Sequence, residues 1–240
     1  MLPNKYDIQA LFAEGSFEKV IKSINRFSKK ENIVFIDGLK FGDIHFGLAA
    51  FYTGWINGGQ THTWNPEKFN IPVSEGKAAV CMFKSDSTWF LQLARNTGIK
   101  EQTITKVSHI NQIAETIKDQ WKKGFDITNM CSDNESIYMV CSKGLDLVQS
   151  YYICKDIPYG FIKKKVKVGQ VLIDILDIGT SYVWLFSANT AYNEMHFVID
   201  PDYDKVVDIK DNIITTEGYN GYSLSFIRII NGQLLFVFHK

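Results

Sequence analysis

Short apolar segments alternate with polar turns along most of the chain, and residues 127–155 show this pattern most clearly. Apolar residues dominate 127–131, 136–142 and 149–154, and polar or glycine-containing turns separate these three segments. Short apolar segments bounded by turn residues are typical of β-strands. The pattern therefore predicts three consecutive antiparallel strands.

The three-strand pattern recurs, which predicts five imperfect repeats of about forty-eight residues. The third strand begins with Gln60, Gln102 or Gln149 in three copies and with Glu194 in a fourth. One apolar position of the middle strand recurs at intervals of 44, 48, 45 and 52 residues: Phe46, Phe90, Tyr138, Val183 and Leu235. The other predicted strands are 33–39, 44–52 and 60–64; 78–83, 88–95 and 102–107; 171–178, 182–187 and 194–199; and 224–229 and 234–239.

Two stretches between the predicted strands have the period of a helix. After Ser16, a capping residue, apolar side chains recur three and four positions apart over 17–27, and similar spacing recurs over 110–121. This spacing predicts helices with one buried stripe, and Gly124 is the expected stop of the second. A weaker helix is predicted at 161–169.

The N-terminal segment 5–11 has no strand partners of its own, whereas the last copy has only two strands. If this segment completes the last copy, the sheets close into a ring without open edges. The predicted fold is therefore mainly β with some helix: a propeller-like ring of five three-stranded units, closed by the N-terminal strand. An unsymmetrical two-layer α+β domain is the alternative. A single domain, 1–240, would contain repeats 16–66, 67–109, 110–157, 158–204 and 205–240, the last completed by 1–12.

Composition and charge narrow the function classes. The chain has 26 basic and 26 acidic residues, whereas nucleic-acid-binding domains usually have a basic surplus. The basic run 163–167 lacks interleaved aromatic residues and is interpreted as a solvated face. The sequence shows no bilayer-spanning apolar run, no signal peptide and no C-x-x-C pair. We expect a cytoplasmic protein with reduced thiols and no cofactor or metal, and we expect neither nucleic acid nor membrane as a partner.

The segment 117–128 contains a Trp, a Gly-aromatic pair and an Ile-Thr pair. Together with 140–142 and 149–151, it resembles the repeats that follow the kinase domain in plant casein-kinase-I-like proteins. The copy at 159–204 keeps Gly169 and Trp184 but lacks the Trp before the Gly. The resemblance implies a repeat scaffold without catalytic residues.

The predicted ring is similar in architecture to penteins, which are five-fold rings of units with three strands and one helix. Many penteins are guanidine-modifying enzymes that use a Cys, a His and paired carboxylates. In this chain Cys154, His109, His196 and Asp200 would take those roles. No local motif matches, so this hypothesis rests on architecture alone.

The segment 55–65 offers the best candidate binding surface. Trp55 and Trp64 flank a glycine pair predicted to be a hairpin turn, and His62 shares a strand face with Trp64 because alternate residues point the same way. Arg95 and Asn96 end a strand of the next copy and are expected at the same end of the ring. The alternative is that these Trp side chains pack between the sheets.

These observations favour a non-enzymatic binding or scaffold module that recognises a protein or peptide through loops at one end of the ring. The predicted binding residues are Trp55, His62, Trp64, Arg95 and Asn96, and no catalytic residue is predicted. Two alternatives remain. One is a carbohydrate-binding ring that uses Trp55, Trp64, Trp89 and Trp184, and the other is a pentein-like hydrolase with a Cys nucleophile.

Overall fold

A computed structural model of the chain describes residues 8–28, 32–51, 54–69, 71–107, 109–133, 136–200 and 220–240. The described residues are mainly β, as the alternation predicts, and no helix among them is long and apolar enough to cross a membrane. Their strands are β1 (Ile8–Glu14), β2 (Ile33–Phe41), β3 (Ile44–Phe51), β4 (Ile56–Thr63), β5 (Lys77–Ser85), β6 (Thr88–Arg95), β7 (Glu101–Val107), β8 (Asp126–Ser132), β9 (Ile137–Lys143), β10 (Val148–Cys154), β11 (Val171–Asp177), β12 (Tyr182–Ala188), β13 (Met195–Asp200), β14 (Ser223–Ile230) and β15 (Gln233–His239).

The strands form five three-stranded antiparallel sheets, in each of which the third strand in sequence lies between the other two. We number the sheets one to five along the chain and call their strands the edge, middle and inner strand. The edge strands are β1, β4, β7, β10 and β13; the middle strands are β3, β6, β9, β12 and β15; and the inner strands are β2, β5, β8, β11 and β14.

The inner strands connect the sheets to one another. β2 contacts both β5 and β14, β5 also contacts β8, and β11 contacts both β8 and β14. Each inner strand therefore touches the inner strands of two other sheets. Each inner strand has at least four consecutive buried residues, as is typical of strands covered on both faces.

The prediction that the N-terminal strand completes the last sheet is wrong. β1 pairs with β3 in the first sheet, from Ile8 opposite Phe51 to Glu14 opposite His45, and the fifth sheet has its own edge strand, β13. Each described helix connects the edge strand of a sheet to the inner strand of the same sheet. The strand before a helix therefore belongs to the same sheet as the two strands after it. The third strand of each predicted repeat therefore pairs in the next sheet. Residues 1–7 and 201–219 of the predicted repeats lie outside the described residues.

The two strongest predicted helices are confirmed as α1 (Phe17–Ser28) and α2 (Ile113–Lys122), the latter preceded by a 3-10 turn at Ile110–Gln112. The weaker prediction corresponds to α3 (Tyr159–Lys167). The second sheet has two 3-10 turns, Pro66–Lys68 and Val73–Glu75, at this place in the repeat. Prolines in this connection disfavour a longer helix.

Helix α1 packs closely against the first sheet. Phe17, Val20 and Ile24 are buried on its apolar stripe. A Cβ atom at Gly47 of the middle strand β3 would overlap Val20 and would lie 2.8 Å from Phe35. Glycine at position 47 is therefore required by the close approach of α1 to the sheet.

Candidate functional site

All five inner strands line one cavity of about 240 Å³. Each strand contributes side chains from its second half, including Asp37 of β2, Met82 of β5, Met130 of β8, Ile175 of β11 and Arg228 of β14. Charged groups in such a position need partners, because burying an unpaired charge is costly.

Every inner strand has a β-bulge at the same place, where it has one residue more than its middle strand. A bulge bends a strand and redirects its side chains. The residues that follow the extra residue are Asp37, Cys81, Asn129, Asp174 and Phe226.

At three of these positions a polar side chain bonds to the neighbouring inner strand. Asn129 Oδ1 accepts a hydrogen bond from the Met82 backbone N–H at 2.9 Å, and Asp174 Oδ2 accepts one from Met130 N–H at 2.7 Å. Asp37 Oδ2 accepts one from Ile227 N–H at 2.8 Å. Met82, Met130 and Ile227 lie just beyond the bulges, in strands that have a sheet partner on one side only. These side-chain bonds therefore join adjacent sheets.

Arg228 connects the first, fourth and fifth sheets through a buried ion cluster with Asp37 and Asp174. Its Nη1 lies 2.9 Å from both carboxylate oxygens of Asp37, and its Nη2 lies 2.5 Å from Asp174 Oδ1. Nε donates to the carbonyl of Ile175 at 3.0 Å, and Nη1 also donates to the carbonyl of Ile227 at 2.7 Å. All three nitrogens of the guanidinium therefore bond to the protein itself.

Burial and pairing act in opposite directions on these charges. Burial raises the pKa of Asp37 above its usual value, and Arg228 opposes that rise. Burial alone would lower the pKa of Arg228, but the carboxylates of Asp37 and Asp174 outweigh it and raise this pKa. The guanidinium is therefore held in its charged form, and the cluster serves to join inner strands.

Further side chains near the cavity connect neighbouring sheets. Lys40 Nζ lies 2.6 Å from Asp86 Oδ1 in the turn between β5 and β6, and Lys84 Nζ lies 3.6 Å from Asp133 Oδ2 in the turn between β8 and β9. Both lysines line the cavity. A cation of one inner strand thus pairs with the hairpin turn of the next sheet, and together these ion pairs mark one end of the cavity.

Two of the recurrent glutamines also join adjacent sheets. Gln102 of β7 accepts from the Ala79 backbone N–H at 2.7 Å and donates to its carbonyl at 2.9 Å. Gln149 of β10 makes the same two bonds to Ile127, at 2.8 and 2.6 Å, and also accepts from Trp121 Nε1. The glutamine repeat in the sequence therefore has a structural cause.

In the fifth sheet two other side chains make the equivalent bonds. Met195 Sδ accepts from the Leu172 backbone N–H at 3.2 Å, and His239 Nε2 lies 2.8 Å from the Leu172 carbonyl. His239 Nδ1 lies 2.6 Å from Ser225 Oγ, at the bulge of β14. Burial lowers the pKa of His239 to about 3, so its imidazole is neutral.

The glycine pair at positions 58 and 59 is not the predicted hairpin turn. β4 runs without interruption from Ile56 to Thr63 and pairs with β6, with a register shift between Asn57 and Gly59. Gly59 has a φ of 96°, and a Cβ atom at Gly58 would lie 3.0 Å from the Leu93 backbone. The two glycines are thus needed for a bulge and a close backbone approach.

As a consequence, Trp55 and Trp64 lie at opposite ends of β4. Trp55 is 3% exposed and packs in the core, as the packing alternative expects, whereas Trp64 is 72% exposed. The ammonium group of Lys68 lies 4.3 Å from the centroid of the Trp64 ring. One of the two tryptophans is therefore available to a partner.

The predicted binding residues divide in the same way. Arg95 pairs with Ile56 at the start of β4, so Arg95 and Asn96 lie at the end where Trp55 precedes the strand. His62 is exposed near the other end, with its ring centroid 6.2 Å from that of Phe90. The structure therefore brings His62 and Trp64 to one end of β4, and Arg95 and Asn96 to the other.

Trp64 lies at the same end of the second sheet as a lysine that lines the cavity. Thr63 of β4 is opposite Trp89 of β6, which is opposite Lys84 of β5. Neighbouring strands are about 4.8 Å apart, so this row spans about 10 Å. The candidate site therefore consists of Trp64, His62 and the lysine end of the cavity.

The sequence model of a domain of unknown function, DUF7477, matches residues 67–223, which is more than half of the chain. The chain belongs to the DUF7477 family. No curated protein matches it. The matched region begins after β4 and ends at the first residue of β14. Trp64 and Arg228 therefore lie outside the matched region.

The other tryptophans proposed for glycan binding are buried in this DUF7477 domain. Trp89 and Trp184 lie in the core with Trp55, and Trp89 makes an edge contact with Tyr138 at a centroid distance of 4.9 Å. A ring that stacks on a sugar must expose a face. Among the four proposed residues, only Trp64 meets this requirement.

The residues proposed for a pentein-like site are dispersed. Cys154 ends the edge strand of the fourth sheet, His109 follows that of the third sheet, and His196 and Asp200 belong to that of the fifth. Burial raises the pKa values of Cys131 and Cys141 to about 12 and also raises that of Cys154. Within the described ranges no group of three or more His, Cys, Asp or Glu residues is arranged to hold a metal ion.

Sequence reasoning missed the ion cluster, although a signal for it was present. Asp37 and Asp174 each follow at least three apolar residues in a predicted buried strand. An acidic residue in such a position requires a buried partner. The identity of that partner, Arg228, depends on the contact between sheets.

Proposed function

We propose that this DUF7477 domain is a non-enzymatic binding or scaffold module whose five sheets form a propeller-like ring around the central cavity. A protein or peptide binds at the end that carries Trp64. The contacts of the inner strands support the ring, because β2 touches both β5 and β14. The buried ion cluster supports a rigid scaffold, because the donors of Arg228 are bonded within the protein.

The exposure of Trp64 carries the proposal. An indole that is 72% exposed forgoes most of the stabilisation available from burying its apolar surface. Tryptophan is also enriched among the residues that dominate the binding energy of protein interfaces. The ammonium of Lys68 lies 4.3 Å from the ring centroid, and such a contact at an exposed site stabilises one orientation of the indole by about 0.5–1 kcal/mol.

A peptide library displayed on phage tests the proposal without knowledge of the natural partner. Peptides selected on the wild-type protein are measured by fluorescence anisotropy against wild type, Trp64→Ala and Ile56→Ala. Ile56 is the matched control, since it is an exposed apolar residue at the opposite end of β4.

We expect Trp64→Ala to weaken binding by about 30-fold, equivalent to about 2 kcal/mol, with little change in melting temperature. Ile56→Ala should bind as wild type does. Selected peptides whose affinity is the same for all three proteins would refute a Trp64 site. A glycan array that gives a Trp64-dependent signal while the peptide library gives none would favour the carbohydrate-binding alternative.

A further inference from the structure

Exposed apolar side chains are concentrated on the fourth sheet and its helix α3. Of the eight large hydrophobic residues that are exposed among the described residues, five lie between positions 148 and 168. Three of them belong to the edge strand β10 and two lie at the ends of α3: Val148, Tyr152, Ile153, Tyr159 and Val168. Apolar groups concentrated in this way mark an interaction surface more often than scattered ones do.

Aromatic rings join the strand to the helix at this place. Tyr152 stacks on Phe161 with a centroid distance of 4.4 Å, and Tyr159 lies 5.6 Å from Phe197 of the fifth sheet. The ammonium of Lys165 lies 5.1 Å from the centroid of the Phe161 ring. The contact between β10 and α3 therefore places aromatic rings beside the basic run 163–167, for which the sequence alone predicts a solvated face.

The lysines of α3 are not neutralised locally. The helix has four lysines and no acidic residue. In the described part of the chain, no carboxylate lies within 4.0 Å of Lys163, Lys164, Lys165 or Lys167. Although the chain has no net charge, the described residues thus include a cluster of lysines without a paired carboxylate beside exposed aromatic and aliphatic groups.

We infer that this face, formed by Tyr152, Phe161, Lys164 and Lys165 and called the α3 surface, binds an acidic segment of a partner protein that also carries apolar side chains. The lysines supply the complementary charge, which determines the association rate and the choice of partner. Tyr152 and Phe161, which stack on each other, supply the apolar contacts.

The edge strand favours a peptide over a nucleic acid or a membrane. Among the described strands, β10 pairs with β12 alone, so an extended peptide can add to its other side as a further strand. Tyr152 and Phe161 stack on each other, which occupies a ring face that base stacking would need. This surface lies on a different sheet from Trp64, so the inference does not rest on the function proposed above.

The probe is a fluorescein-labelled peptide of about fifteen residues in which Glu alternates with Val, long enough to follow the edge strand. A second peptide has Gln in place of every Glu. The test variants are the double variant Lys164→Ser with Lys165→Ser, and Tyr152→Ala. The matched control is Lys118→Ser with Lys123→Ser, which removes two exposed lysines in and after α2.

We expect the Glu peptide to bind at least about tenfold more tightly than the Gln peptide, and the α3 double variant to lose at least about tenfold in affinity. Tyr152→Ala should weaken binding by a similar factor, and added salt should weaken it further. The α2 control and Trp64→Ala should remain within about twofold of wild type. The lysine variants should keep melting temperatures close to that of the wild type, whereas Tyr152→Ala also removes the stack on Phe161, so its affinity is measured well below its own melting transition.

Equal affinity for the two peptides, or an equal loss in the α2 control, would overturn the inference. A single-stranded oligonucleotide or vesicles containing phosphatidylserine form the other arms of the test. Binding of either with higher affinity than the Glu peptide, and with loss in the α3 double variant, would reassign the surface to that ligand. Failure of Trp64→Ala in the phage experiment would leave these outcomes unchanged.

Discussion

Replacing Arg228 with methionine is expected to destabilise the protein strongly, because two buried carboxylates lose their counter-ion. Asp37 and Asp174 are 5% and 1% exposed, and both accept hydrogen bonds from the guanidinium. Methionine keeps much of the aliphatic volume of arginine but supplies neither charge nor donors. The carbonyls of Ile175 and Ile227 also lose the hydrogen bonds that Arg228 donates.

The magnitude follows from the burial of the cluster. Removing one partner of a buried ion pair costs about 3–5 kcal/mol. Arg228 pairs with two carboxylates, which raises the expected cost, whereas its side chain keeps 17% exposure, which lowers it. We therefore expect the free energy of unfolding to fall by about 4 kcal/mol at neutral pH. Urea unfolding followed by circular dichroism measures this change, and Arg95→Met, at an exposed arginine, should remain within about 0.5 kcal/mol of wild type.

The dependence on pH provides a second check. In Arg228→Met the guanidinium is missing, so nothing at position 228 opposes the rise that burial causes in the pKa of Asp37. When a carboxyl group has a higher pKa in the folded than in the unfolded state, the protein loses stability as the pH rises from the unfolded pKa to the folded pKa. The deficit of Arg228→Met should therefore shrink as the pH falls from about 7 to about 4. A loss below about 1 kcal/mol, or a deficit that grows on acidification, would refute an ion cluster that stabilises the fold.

Three further predictions concern single contacts. Gln149→Leu should lower the free energy of unfolding by about 1–3 kcal/mol, because both backbone groups of Ile127 lose their partner; an unchanged urea midpoint would contradict this. Gly47→Ala should cost about 1–3 kcal/mol by overpacking against Val20, and its melting temperature provides the check. The pKa of His239 is lowered to about 3, so the unfolded chain takes up a proton near 6.5 that the folded domain excludes. Stability should therefore decrease as the pH falls below about 6.5, and His239→Gln should flatten that decrease in urea titrations across pH.

The local structure of the domain could be predicted from the sequence. The apolar stripe after Ser16 predicted α1, and the stripe from 110 to 121 predicted α2, because helical periodicity depends on neighbouring residues alone. The mainly β class and the three-strand pattern followed from apolar segments bounded by turn residues in the same way.

Strand pairing could not be obtained from the same information. The predicted ring closure assigned the N-terminal strand to the last sheet, but β1 pairs with β3 of the first sheet. Pairing in the first sheet and pairing in the last sheet would both satisfy the backbone groups of the N-terminal strand. The apolar side chains of a strand do not specify which strand it pairs with. The glycine pair of β4 was ambiguous for a similar reason, since positive φ at Gly59 suits a bulge as well as a turn.

Trp55, Trp64, Trp89 and Trp184 show the same limit at the candidate site. Each tryptophan lies in or beside a strand, yet only Trp64 is exposed, because burial depends on which sheets meet at each position. The acidic residues within apolar strands were visible in the sequence, but the partner of Asp37 lies 191 residues further along the chain. The sequence by itself thus determined the helices, the strands and their recurrence, which arise from local periodicity. The tertiary structure alone decided the strand pairing, the ion cluster and the exposure of Trp64, because each depends on groups that are distant in sequence and meet only when the sheets pack together.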